Sequence, residues 1–297
     1  MVNPSQYEVN MKEDKVITIV GLGVVGGSYA IALSKKGYTV YGVNRSKEGL
    51  DLALQAGAIK EGAHTPEKFF EKSDIIIIAL YPNQIIDYLE KYGKYIKKGC
   101  LISDVAGIKS MFVDKINANV PDGCEFLFCH PMAGREKRGF KYADDKVLQG
   151  ANFLVVKTEN TSEEAICRMT KLVKDIGFGN VRITDAATHD KVIAYTSQLP
   201  HAIAVSLINS DDEDSETASY IGDSYRDLTR IANINEDLWS ELFMGNKQNL
   251  LHSITSFENQ LSLLKKAVED NDDKTLKELF VKSTARRIGL EKKKSDK

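Results

Sequence analysis

With 297 residues, 42% hydrophobic and 28% charged, the chain is long enough for two cores and has the make-up of a soluble globular protein. A formal net charge of −2 argues against a basic nucleic-acid surface, and no apolar run reaches the ~18 residues that a membrane span needs. The four cysteines, Cys100, Cys124, Cys129 and Cys167, lack metal-ligand spacing and read as reduced thiols, and residues 1–14 lack the apolar stretch of a signal peptide, which points to the cytoplasm.

Residues 15–20 are apolar and β-branched and predict a buried strand. Gly21-Leu-Gly23-Val-Val-Gly26-Gly27 follows at once, then a helix from Ser28 that ends at Gly37. A GxGxxG between a strand and a helix is a dinucleotide fingerprint: Gly21 for the tight turn, Gly23 for backbone approach to a pyrophosphate, Gly26 for close packing of helix on strand. Residues 39–43 form the second strand, and its end should read the adenosine ribose. An NAD site usually has an acid there; this chain has Asn44-Arg45-Ser46. Asn44 does not repel a 2′-phosphate and Arg45 can pair with one, which tilts the expected cofactor from NAD to NADP. Arg45 as a solvated loop residue, or stacked on adenine of NAD, is the competing reading.

Further strands are expected at 74–80, 101–104, 124–129, 152–156 and 180–183, with helices from Pro82 to about Ile96, after Ser110, and from Glu163 to Ile176. Strands alternating with helices imply a doubly wound parallel sheet. The strand at 124–129 runs into Cys129-His130-Pro131-Met132-Ala133-Gly134-Arg135-Glu136. Open α/β sheets bind ligands at strand ends, and histidine is the side chain best able to take a proton near neutral pH, so His130 is the candidate base.

After Thr184 the pattern becomes helical, with Asp185 as an N-cap. Residues 186–208 have helical periodicity interrupted by Pro200, and 238–268 carry a one-sided apolar stripe that calls for a partner surface. The expected architecture is therefore α/β then all-α: a Rossmann-type sheet over 1–184 and a helical domain over 185–297 that forms a homodimer. Residues 291–297 read as a frayed charged tail. Two stretches of the helical half look chemical: Tyr195-Thr-Ser197-Gln-Leu-Pro200-His201, and Tyr225-Arg226-Asp227-Leu-Thr229-Arg230, whose arginines suit carboxylate binding but equally a surface pairing with Asp223 or Asp227.

Together the glycine loop, Asp104-Val-Ala-Gly-Ile-Lys109, His130-Pro-Met-Ala-Gly134, Leu199-Pro200-His201 and Arg226-Asp227-Leu-Thr-Arg230 followed by Trp239 resemble the prephenate/arogenate dehydrogenase family, in its order and over about residues 15–270. The resemblance implies oxidative decarboxylation of a cyclohexadienyl acid with hydride transfer to NAD(P), giving 4-hydroxyphenylpyruvate from prephenate or tyrosine from arogenate. It implies His130 as catalytic base, His201 and Arg230 as substrate-binding residues with Ser197, Arg226 and Arg135 as further candidates, and Asp104 beside the cofactor with the glycine loop. Two residues depart from the family pattern. Gly107 stands where many relatives have a serine, for which Ser103 and Ser110 are possible substitutes, and Arg135 stands where a small hydroxyl residue is common. The competing readings are another dehydrogenase of the same two-part build, with Lys191 in a catalytic position, and a non-catalytic nucleotide sensor.

Overall fold

A computed structural model describes residues 15–134, 137–212 and 216–295. The chain divides into two compact units, Met1–Lys247 and Gln248–Lys297. The helices that open the C-terminal half thus fall in the first unit, although the change of pattern comes at Thr184.

The first unit is built on one eight-stranded sheet: β1 (Val16–Val20), β2 (Thr39–Val43), β3 (Glu61–Ala63), β4 (Ile75–Ile78), β5 (Leu101–Asp104), β6 (Glu125–Pro131), β7 (Phe153–Val156) and β8 (Val181–Thr184), in spatial order β3-β2-β1-β4-β5-β6-β7-β8. The order reverses between β1 and β4, which is where such sheets open a crevice. Helices α1 (Val24–Lys35), α2 (Lys47–Gln55), α3 (Glu67–Phe70), α4 (Pro82–Tyr92), α5 (Val113–Ala118) and α6 (Glu163–Asp175) link the strands. The all-isoleucine β4 shows why a parallel strand reads as a continuous apolar run. Ile75 and Ile77 enter a core with Leu33 and Leu172, while Ile76 and Ile78 enter another with Ile85 and Phe112.

The sheet departs from the expected all-parallel form at one place. β7 runs antiparallel to β6, pairing His130 with Leu154. His130 is therefore inside a strand, paired on its β7 side, and not in the loop beyond. The short β3 and helix α2 were not foreseen; Glu61-Gly62-Ala63 is too brief to show an alternation.

Beyond Thr184 come α7 (Ala186–Ile193), α8 (Leu199–Asn209), α9 (Asp223–Thr229) and α10 (Glu236–Gly245). Asp185 caps α7, accepting from Thr188 N at 2.8 Å. Pro200 has no N–H for the carbonyl of Thr196, and the chain answers with a π-turn over Ala194–Gln198. The stripe expected as one helix over 238–268 is broken at Asn246, whose Nδ2 donates to Asp190 O at 2.8 Å and Gln198 Oε1 at 2.9 Å. α11 (Lys247–Glu269) and α12 (Asp273–Ser295) complete the chain; α12 occupies much of the stretch expected as a frayed tail. Among the described residues no helix is long and apolar enough to cross a membrane.

Candidate active site

The C-terminal edges of β1, β4, β5 and β6 open on a cavity of about 470 Å³. Its floor is the turn from Gly23 to Gly26. Gly21 has φ +91°, and a Cβ there would lie 2.4 Å from the carbonyl oxygen of Ala79; one on Gly26 would lie 2.0 Å from that of Gly21. These two positions admit no side chain. A Cβ on Gly23 meets nothing within 4 Å, so the backbone at the start of α1 faces open space. α1 has no acid in its first turn and no side-chain cap. First-turn N–H groups have no intrahelical partner and favour an anion, so the cradle fits a pyrophosphate.

His130 lines the same cavity. Its Nδ1 lies 3.0 Å from Nε2 of His189, whose Nδ1 lies 2.7 Å from Oδ1 of Asp190. Asp190 in turn accepts from Lys109 N at 2.9 Å and Ser110 N at 2.8 Å. Burial, then the His189 ring and the Lys109 ammonium, pushes the His130 pKa well below the ordinary imidazole value. Burial also lowers His189, against the opposing pull of Asp190. Burial works against the Asp190 carboxylate, but hydrogen bonds from His189 and Ser110 outweigh it and hold its pKa below the usual range. Both histidines are thus neutral at neutral pH and the aspartate is ionised.

Asp104, expected at the cofactor, is 1% exposed and lies outside the cavity wall. Its Oδ1 accepts from Cys129 N at 3.1 Å, its Oδ2 from Ala106 N at 2.9 Å and from the fully buried Lys109 ammonium, which also donates to Cys129 O at 2.7 Å. The pair ties the end of β5 to the strand that carries His130. Asn44 is similarly occupied within the protein: Oδ1 accepts from Leu22 N at 3.2 Å and Nδ2 donates to Ser46 O at 3.2 Å, while Ser46 Oγ caps α2. Arg45 is exposed at the end of β2. Ser103 bonds to the Asp104 carbonyl and Ser110 to Asp190, so neither takes the place of a hydroxyl at Gly107.

The helical wall carries Ile193, Ser197 and His201, each four residues after the last, in register with His189. His201 Nδ1 donates to Ser197 O at 2.8 Å and its ring stacks on Trp239. Asn235, also in the wall, donates to the Tyr81 hydroxyl at 2.8 Å, and Lys137 and Arg138 stand at the rim, Arg138 held by Glu236 at 2.5 Å. Arg226 and Arg230 do not line the cavity. Arg226 pairs with Asp223 at 2.7 Å on the surface, and Arg230 is exposed. Lys191 is likewise exposed and outside the wall. Arg135 lies outside the described residues.

His189, Asp190, Lys137 and Arg138 were missed from sequence. The signal for His189 was available: counting back in fours from His201 through Ser197 reaches it, a polar pair on the buried face of a helix.

A glycine cradle and a neutral histidine sharing one cleft define a nucleotide-dependent oxidoreductase with a helical second half. The family models agree and sharpen this: residues 29–181 match the prephenate dehydrogenase nucleotide-binding domain and residues 185–282 the prephenate dehydrogenase dimerization domain. The chain belongs to the prephenate dehydrogenase family. It is 27% identical to the prephenate dehydrogenase of Bacillus subtilis, over 95% of this chain and 77% of that one. It is 27% identical to the cyclohexadienyl dehydrogenase of Zymomonas mobilis, over 93% and 96%. The crystal structure of Aquifex aeolicus prephenate dehydrogenase in complex with hydroxyphenyl propionate and NAD+ superposes with a TM-score of 0.85 at 25% identity, covering 95% of this chain and all of that one.

Proposed function

We propose that the chain oxidatively decarboxylates prephenate, with arogenate as the alternative substrate, with His130 as the base. The observation that carries this is that His130 and the Gly23–Gly26 turn line one cavity. A bound nicotinamide dinucleotide supplies the hydride acceptor. Nε2 of His130 takes the proton of the ring hydroxyl as the hydride leaves the carbon that bears it. The carbon–carboxylate bond opposite then breaks, its electron pair completes the aromatic ring and passes charge to the ring oxygen, which takes the proton back from His130, and CO2 departs. Leu242, Ile193 and Trp239 keep the ring's surroundings apolar, which favours loss of a charged carboxylate as neutral CO2. Ser197 and His201 stand in the wall where the substrate's polar groups would lie; Arg230 and Arg226, outside it, are proposed only as contacts reached from the rim.

NADP is the proposed cofactor over NAD. With Asn44 and Ser46 engaged in the protein, that preference rests on Arg45, whose exposed guanidinium would meet a 2′-phosphate. Arg45→Ala is then expected to lower kcat/KM for NADP about tenfold while that for NAD stays within twofold. A homodimer is proposed from the dimerization-domain match and from the apolar side chains that α11 and α12 expose, among them Leu261, Val268, Phe280 and Val281. Sedimentation as a monomer at micromolar concentration overturns it.

The deciding experiment follows nicotinamide reduction with prephenate and with arogenate, each with NAD and NADP. Turnover of either substrate supports the reading. No turnover in any of the four mixtures, with the dinucleotide still bound, favours a nucleotide sensor.

A further inference from the structure

A neutral imidazole carries one proton on either of two nitrogens, and only the bare one can act as a base. In His130 the neighbours decide which. Asp190 is fixed by the backbone N–H groups of Lys109 and Ser110 at 2.9 and 2.8 Å. A carboxylate only accepts, so the 2.7 Å contact from His189 places the His189 proton on Nδ1. Nε2 of His189 is then an acceptor, and the 3.0 Å contact to it places the His130 proton on Nδ1. What remains on His130 is a bare Nε2, which of the His130 atoms comes nearest to the position a Cβ on Gly107 would take, 3.6 Å away. Gly107 belongs to the cavity wall, so Nε2 is on the cavity side.

We infer that His189 is a positioning residue for the oxidation: backed by Asp190, it holds His130 in the tautomer whose basic nitrogen faces the substrate. The inference rests on the proposed function and extends it. It has particular weight in this chain because Gly107 has no hydroxyl to orient the ring from the front, and the hydroxyls of Ser103 and Ser110 bond elsewhere. The ring is aligned from behind. The side chains of His189 and Asp190 are 0% and 1% exposed, so water does not compete for these bonds.

The test uses the full chain with His189→Leu, His189→Gln and His130→Asn. Leucine removes the acceptor for Nδ1–H, whereas the glutamine carbonyl can replace it. His189→Leu should lower kcat about 100-fold or more, with KM for substrate and Kd for cofactor within about threefold of wild type. His189→Gln should recover to within about tenfold of wild type. A His189→Leu enzyme with near wild-type kcat, or a glutamine variant no better than leucine, overturns the inference. If His130→Asn also turns over normally, the base assignment fails first, and the two failures are told apart. Nitrogen-15 NMR of imidazole-labelled wild type reads the tautomer without any variant: a protonated Nδ1 and bare Nε2 on His130 are expected, and the reverse overturns the inference even if His189→Leu does not fold.

Discussion

The imidazole of His201 lies flat on the indole of Trp239, ring centroids 3.6 Å apart and planes 28° from parallel. With Nδ1 held on the Ser197 carbonyl, the ring has one orientation in the cavity wall. Trp239 is itself braced edge-on by Phe243 at 5.7 Å. An aromatic pair contributes about 1 kcal/mol beyond its burial, so Trp239→Leu should raise KM for the substrate about fivefold and leave cofactor affinity unchanged. Equal loss of affinity for both ligands would show that the stack supports the whole cleft and not this wall.

His130→Asn should lower kcat by about 100-fold to 10,000-fold while cofactor still binds, as measured by steady-state turnover beside a fluorescence titration of the dinucleotide. Asparagine fills most of the ring's space but has no basic nitrogen. Turnover near wild type would remove His130 from the chemistry.

The rate should depend on pH through the same ring. Burial, His189 and Lys109 depress the His130 pKa, so the neutral base persists below the ordinary imidazole value. The acid limb of kcat/KM is expected below about pH 6.5, with activity flat above it. Stability follows the same sign. The unfolded chain takes up protons on both histidines near pH 6.5, the folded chain only lower, so the stabilisation is complete above that value and is lost as pH falls toward the depressed folded values. Melting temperature should therefore decline as pH drops from about 7 to 5, and His189→Gln should flatten part of that decline.

Lys109→Met should destabilise the protein by about 3–5 kcal/mol in denaturant unfolding, because it leaves the Asp104 carboxylate buried without its cation. The double change of Lys109→Met with Asp104→Leu should recover part of that loss. A single variant as stable as wild type would mean that the buried pair holds nothing in place.

Two glycines of the turn, Gly26 and Gly23, should separate by experiment. Gly26→Ala sets a methyl 2.0 Å from a carbonyl oxygen and should cost stability outright, by about 1–3 kcal/mol or more. Gly23→Ala meets no protein atom, so it should fold normally and weaken only dinucleotide binding. Normal cofactor affinity in Gly23→Ala would move the pyrophosphate away from this turn.

Much of this protein is legible in its sequence. Local patterns specify local structure: β-branched runs gave the buried strands, the glycine spacing marked the strand-to-helix turn, and Asp185 marked the start of α7. His130 stood out because open α/β sheets bind ligands at strand ends and histidine is the side chain best able to take a proton near neutral pH. Non-local choices were not legible. Whether β7 runs with or against β6 depends on how the connection after Gly134 folds back, and no periodicity encodes it. The engagement of Asp104, Asn44 and Ser46 inside the protein was equally hidden, since each type suits a ligand as well as a backbone N–H, and only the neighbours decide. Sequence by itself determined most of the order of elements and singled out His130 as the candidate base. The tertiary structure alone decided which nitrogen of that residue is basic, because His189 and Asp190 reach it across fifty-nine positions of chain to supply a hydrogen-bond direction that no local pattern carries.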